Sequence, residues 1–153
     1  MILVRHAHAG TKASWHRDDG LRPLSRCGHA QAVSLVVALA GDRVDTLWAS
    51  PTVRCQQSLA PLARARGMRV QDAGLLAKDT QVDRLLQWLL DHEQAPWVLC
   101  THGEVFAALL VAGRSAGVIT TEVRVTEKGG AWRVTRDFDR PVHLEYLPPS
   151  PRH

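Results

Sequence analysis

The sequence predicts an α/β fold, and three observations carry that reading. Ile2, Leu3 and Val4 form an unbroken apolar run, the composition of a strand buried on both faces, and the run stops abruptly at Arg5 and His6. Trp97 to Thr101 repeats the pattern, ending in His102, Gly103 and Glu104 ahead of an apolar helical segment. Between these two runs, segments with apolar residues at helical spacing follow strand-like runs, the alternation that builds an α/β sheet. In such a sheet the carboxyl ends of the strands form the ligand crevice, so Arg5, His6 and His102 are placed for chemistry.

The elements follow in order. After the first strand, residues 11–24 read as a polar excursion containing Trp15, Asp18, Asp19 and Pro23. Ser25 is the expected N-cap of a helix to about Ala40, with Ala30, Val33, Val36, Val37 and Ala40 at helical spacing and Gly41 as its stop. Gly28, a poor helix former in the first turn, is expected there for close packing. Val44 to Ser50 reads as a second strand, and Pro51 to about Ala65 as a helix opened by its proline, with Arg54 in the first turn. Pro61 predicts a kink or break in that helix. Arg69 to Gln71 is expected as a short edge strand, and residues 72–80 as a second crevice-side loop. Thr80 with Asp83 suggests a capping box for a helix whose apolar stripe is Val82, Leu85, Leu86, Leu89 and Leu90. After the strand at Trp97–Thr101 a helix is expected over Val105–Ala112, then a hairpin of Glu122–Thr126 and Trp132–Arg136 about Gly129 and Gly130. Residues 1–147 are expected as one domain and 148–153 as a frayed C-terminal tail.

A chain of 153 residues supports a single core. Its 45% hydrophobic and 22% charged content is that of a globular protein, and no apolar stretch approaches the roughly 20 residues of a membrane span. The net charge of +4 favours anionic ligands, but the basic residues are scattered, without the dense run or aromatic platform that nucleic acid demands. Cys27, Cys55 and Cys100 lack metal-type or redox-type spacing, and with no targeting segment before Ile2 the expected home is a reducing cytoplasm.

Phosphoryl transfer asks a protein mainly for positioning and for positive charge on the equatorial oxygens. Two arginines offer planar forks to a phosphate, and imidazoles add donors or a nucleophile. Arg5, Arg54, His6 and His102 are that set. A cysteine-dependent phosphatase does not fit, because its loop needs an arginine six residues after the nucleophile and Phe106 stands there after Cys100. A non-catalytic phosphate-binding module is the alternative from another class.

These motifs resemble those of the histidine phosphatase superfamily, which includes the phosphoglycerate mutases. Leu3-Val4-Arg5-His6-Ala7 is similar to its opening signature, Ser50-Pro51-Thr52-Val53-Arg54-Cys55-Gln56-Gln57-Ser58 to its second motif, and Thr101-His102-Gly103-Glu104 to its third. The resemblance implies a phosphoglycerate mutase-like, three-layer α/β/α sandwich with a mostly parallel central sheet. It implies His6 as phosphorylated nucleophile, with Arg5, Arg54 and His102 completing the phosphate pocket, and neither metal nor cofactor. Ala7 stands where glycine is commonest. Lys78 stands where many members place an acid, leaving Asp79 as candidate proton donor. His8 is expected at the pocket mouth, and Arg22 and Trp15 against the leaving group. The length resembles that of the short phosphohistidine phosphatases, and the loop wording resembles the domain that some bacterial proteins carry behind a Nudix hydrolase. No Nudix motif is present, so a free-standing domain is expected. The reading is a phosphatase rather than a mutase. Its partner is a phosphorylated small molecule, a nucleotide or a phosphohistidine protein, with no nucleic acid and no membrane.

Overall fold

The computed structural model describes residues 1–120 and 122–150. Four segments pair into the parallel part of one sheet: β1 (Ile2–Arg5), β2 (Thr46–Ala49), β3 (Val70–Asp72) and β4 (Trp97–Thr101). β5 (Ala131–Thr135) runs antiparallel beside β1, and β6 (His143–Leu147) antiparallel beside β5, giving the order β3-β2-β4-β1-β5-β6. The helices are α1 (Arg26–Ala38), α2 (Val53–Arg66), α3 (Val82–Asp91) and α4 (Gly103–Ser115).

Alternation along the strands explains the layers. Ile2, Val4, Leu47, Ala49, Val98 and Cys100 point to one face, where they join Leu35 of α1 and Leu59 and Leu62 of α2. Leu3, Trp48 and Leu99 point to the other, against Leu85 and Leu89 of α3 and Val105 and Leu109 of α4. A helix pair therefore covers each face of the mostly parallel sheet, the three-layer α/β/α sandwich of the phosphoglycerate mutase-like type that the motifs imply. Burying each large aliphatic side chain in these cores contributes about 1.5–3 kcal/mol.

Several local expectations hold and several do not. The Ser25 hydroxyl caps α1 by accepting from the Gly28 amide at 3.1 Å. A Cβ at Gly28 would lie 1.9 Å from the His8 carbonyl oxygen, so this glycine serves close packing. Pro51 does not open α2. Sheet bonding persists to Ser50, whose amide donates to the Cys100 carbonyl at 3.0 Å, and the helix begins only at Val53. α2 also runs unbroken through Pro61, because the flanking Leu59 and Leu62 are fully buried and hold it to the sheet. Thr80 is not the cap of α3: its amide closes the preceding turn onto Ala77, and Gln81 occupies the cap position without a side-chain bond.

The expected hairpin is wrong. Glu122–Thr126 forms no strand, and the Gly129-Gly130 pair docks on the end of β1 instead. The Gly129 amide donates to the carbonyls of Arg5 and His6, and the Arg5 amide donates to the Gly130 carbonyl. β5 takes its partner in β6, whose alternation of Leu144 and Tyr146 with His143 and Glu145 was the overlooked signal. Of the expected tail, residues 151–153 lie outside the described residues.

Candidate active site

Backbone register brings the candidate residues together. Arg5 at the end of β1 pairs with Thr101 at the end of β4, and the His6 amide donates to the Thr101 carbonyl at 3.0 Å. Ser50 leaves β2 bonded to Cys100 of the same central strand. Three strand ends thus stop at one level, and α2 begins beside them with the buried Arg54. The Ser58 hydroxyl on α2 donates to the Arg54 carbonyl at 2.7 Å and accepts from the Ala7 amide at 2.9 Å, tying the turn after His6 to the helix.

Arg5, His6, Arg22, Arg54 and His102 line one cavity of about 460 Å³, together with Lys12, Lys78, Gly103, Glu104 and Lys128. The rings of His6 and His102 meet edge to face with centroids 5.4 Å apart. His6 Nδ1 lies 2.8 Å from the Ala7 carbonyl oxygen, which can only accept, so Nδ1 carries the proton and Nε2 keeps its lone pair. Burial pushes the His6 pKa down to about 3; the Ala7 bond, the next largest effect, opposes it, and the charges of Arg54, His102 and Arg5 lower it further. The imidazole is neutral at physiological pH. His102 Nε2 lies 2.9 Å from the Ser50 hydroxyl.

Among the described residues, Arg5 Nε, Arg54 Nε and His102 Nδ1 are buried without a hydrogen-bond partner. A buried donor left unpaired costs about 1–3 kcal/mol, and the Nε–H groups of Arg5 and Arg54, two residues that line the cavity, carry that cost. Gly103 keeps the cluster tight: a Cβ there would come within 2.7 Å of the Arg5 guanidinium carbon.

Asp19, noted in the sequence only as part of a polar loop, organises the cations. Its carboxylate pairs with Arg22 and Arg54 at 3.0 Å each and with Lys78 at 3.3 Å. Burial raises its pKa, but these partners outweigh burial and hold the carboxyl well below the usual range. Arg22 also donates to the Ala9 carbonyl at 2.7 Å. Composition alone gave no sign of Asp19's role, because the loop position of an aspartate does not reveal which distant cations fold onto it.

Two candidates fall outside the cavity lining. Asp79 is exposed, and among the described residues the carboxylate that lines the cavity is Glu104, in the motif read from the sequence but without a role assigned there. Burial raises the Glu104 pKa, but its own backbone amide, Lys78 and the two imidazoles lower it further, so the group stays ionised at neutral pH. His8 serves the helix start instead: its Nδ1 lies 2.7 Å from the Ser25 hydroxyl and its amide donates to Gln31 at 2.9 Å.

The arrangement is a cationic, imidazole-bearing cavity at the carboxyl ends of parallel strands. The chain belongs to the histidine phosphatase superfamily (branch 1), whose family profile matches residues 1–78. It is 30% identical over 156 residues to the 8-oxo-(d)GTP phosphatase of Mycolicibacterium smegmatis, covering 97% of this chain and 48% of that protein. The chain therefore spans about half the length of that curated relative. Its fold is similar to that of the protein histidine phosphatase SixA complexed with tungstate, with a TM-score of 0.75 at 20% identity, over 97% of this chain and 96% of that one. It is similar also to the mycobacterial glucosyl-3-phosphoglycerate phosphatase Rv2419c complexed with VO3, with a TM-score of 0.71 at 15% identity, over 98% and 99% of the two chains.

Proposed function

We propose that the protein is a phosphatase that transfers the phosphoryl group of its substrate to His6 and then to water. The observation that carries this reading is the His6 ring itself, with Nδ1–H donated to Ala7 and Nε2 unprotonated in a cavity shared with Arg5, Arg54 and His102. In the first step the Nε2 lone pair forms a P–N bond while the bond from phosphorus to the leaving group breaks, and the leaving group departs with that electron pair. In the second, a water oxygen attacks phosphorus, the P–N bond returns its electrons to Nε2, the water proton is lost to solvent and phosphate leaves. Arg5 and Arg54 hold the equatorial oxygens as planar forks, and His102 adds a donor where charge develops. Arg22 and Asp19 position that set. No role follows for Asp79.

The substrate is a phosphorylated small molecule, a nucleotide or a phosphohistidine protein, and the chemistry uses no metal or cofactor. The relative from Mycolicibacterium smegmatis, a phosphatase of 8-oxo-(d)GTP by name, supports the nucleotide class.

Turnover of an aryl phosphate tests the reading. The parent is expected to hydrolyse it with undiminished rate in chelator, and His6→Ala to lose at least about a hundredfold in kcat, the order of effect expected when a nucleophile is removed. Equal turnover in His6→Ala contradicts the nucleophile. A parent that binds phosphate but turns nothing over indicates a binding module of the same fold.

A further inference from the structure

A second cavity, of about 250 Å³, adjoins the first, and Arg22 lines both. Its wall includes Gly10, Thr11, Ser14, Trp15 and Pro23. The short 3-10 turn Lys12–Ser14 connects the two cavities: it places Lys12 in the cationic one, then Ser14 and the next residue, Trp15, in the other. Trp15 is held in place by its ring nitrogen, which donates to the Asp18 carbonyl at 2.8 Å. An indole face with hydroxyls nearby, one residue pair away from a cation cluster, suits a ligand that is aromatic at one end and polyanionic at the other.

The charge of the first cavity points the same way. One phosphoryl group needs the forks of Arg5 and Arg54, and the cavity is lined besides by Lys12, Arg22, Lys78 and Lys128, of which Arg22 and Lys78 are held by Asp19. The carboxylate among its described lining residues, Glu104, is paired with Lys78 at 3.8 Å. With that group ionised, an alcohol leaving group finds no carboxyl proton here, whereas a phosphate leaving group departs as its own stable anion.

Resting on the phosphatase reading above, we propose that the substrate is a nucleoside di- or triphosphate, with its base stacked on Trp15 and its phosphates between the arginines and lysines. Arg22, shared by both cavities, then meets the segment that joins base to phosphate.

Calorimetric titration of the intact chain with guanosine 5′-(α,β-methylene)diphosphate and with methylenediphosphonate tests this, because neither probe can be cleaved at its methylene bridge. The parent is expected to prefer the nucleoside analogue. In Trp15→Ala the ratio of the two affinities falls by about 5- to 100-fold, the loss that removing one base–aromatic stack brings. Trp15→Phe keeps a ring but not the bond to Asp18, and it retains most of the preference. Equal affinities in the parent, an unchanged ratio in Trp15→Ala, or a fall in Trp15→Phe as deep as in Trp15→Ala each overturns the proposal. A His6 that never becomes phosphorylated overturns the phosphatase reading instead, and leaves this ratio readable.

Discussion

His6 is 7% exposed and surrounded by Arg5, Arg54 and His102, and its protonation follows from that company. A proton on the ring would join two guanidinium groups in a poorly solvated pocket, so the neutral form is favoured down to about pH 3. An unfolded histidine titrates near 6.5. Between those values the unfolded chain binds a proton that the folded chain refuses, so this residue's contribution to stability is complete above about pH 6.5 and is lost as the pH falls toward 3. The loss is on the order of a few kcal/mol. Nitrogen-15 NMR of the His6 imidazole is expected to show one protonated and one unprotonated nitrogen from pH 8 to pH 4. A titration midpoint near 6.5 contradicts the buried, cation-flanked setting of His6. Of the residues around it, Arg5, Arg54 and His102 were legible in the sequence because each closes an apolar run or opens the following helix. Asp19 was not, since its meaning lies in Arg22, Arg54 and Lys78, the last of them far along the chain.

At the scale of elements, the site depends on how closely α1 and α2 approach the turns that leave the sheet. Gly28 lets α1 lie on the His8 carbonyl, to which the Ser25 amide and hydroxyl both donate, while the same hydroxyl lies 2.7 Å from His8 Nδ1. Gly28→Ala gains helix propensity of about 1 kcal/mol but drives a methyl into backbone that cannot swing away. Net destabilisation of about 1–3 kcal/mol is expected in urea unfolding, the usual cost of overpacking. Gly41→Ala, with open space around its Cβ, is expected to be neutral or slightly stabilising. Equal stability of the two variants contradicts the close-packing role of Gly28. Periodicity revealed β1, β2 and β4 and the four helices of the described residues, because each buries a face large enough to fix its pattern; β3, mostly exposed, was legible only from its place after Gly67. Periodicity found β5 but gave it the wrong partner: β6 was missed, and Glu122–Thr126 forms no strand. The Gly129-Gly130 pair has the composition of a hairpin turn, and sequence alone does not reveal that its backbone hydrogen bonds go to Arg5 and His6. Sequence also could not tell that Pro61 would be overruled by the burial of Leu59 and Leu62.

For the whole molecule, the sheet order explains why a chain whose basic residues are scattered in sequence gathers several of them around one cavity. β1, β4 and β2 lie side by side and parallel, so motifs about 50 residues apart surface at one edge, while the loops at 11–24 and 72–80 add Lys12, Arg22 and Lys78. We read residues 1–147 as the domain that builds this edge, since β6 closes the sheet at Leu147. No helix among the described residues is long and apolar enough to cross a membrane. The central claim is that this convergence delivers a phosphoryl group to one nitrogen. Rapid quenching of the protein with a phosphorus-32-labelled phosphoryl donor tests it most directly. The account predicts label that is stable in base, labile in acid, located on His6 and missing from His6→Ala. Label of parent intensity in His6→Ala, or label confined to another residue, contradicts it.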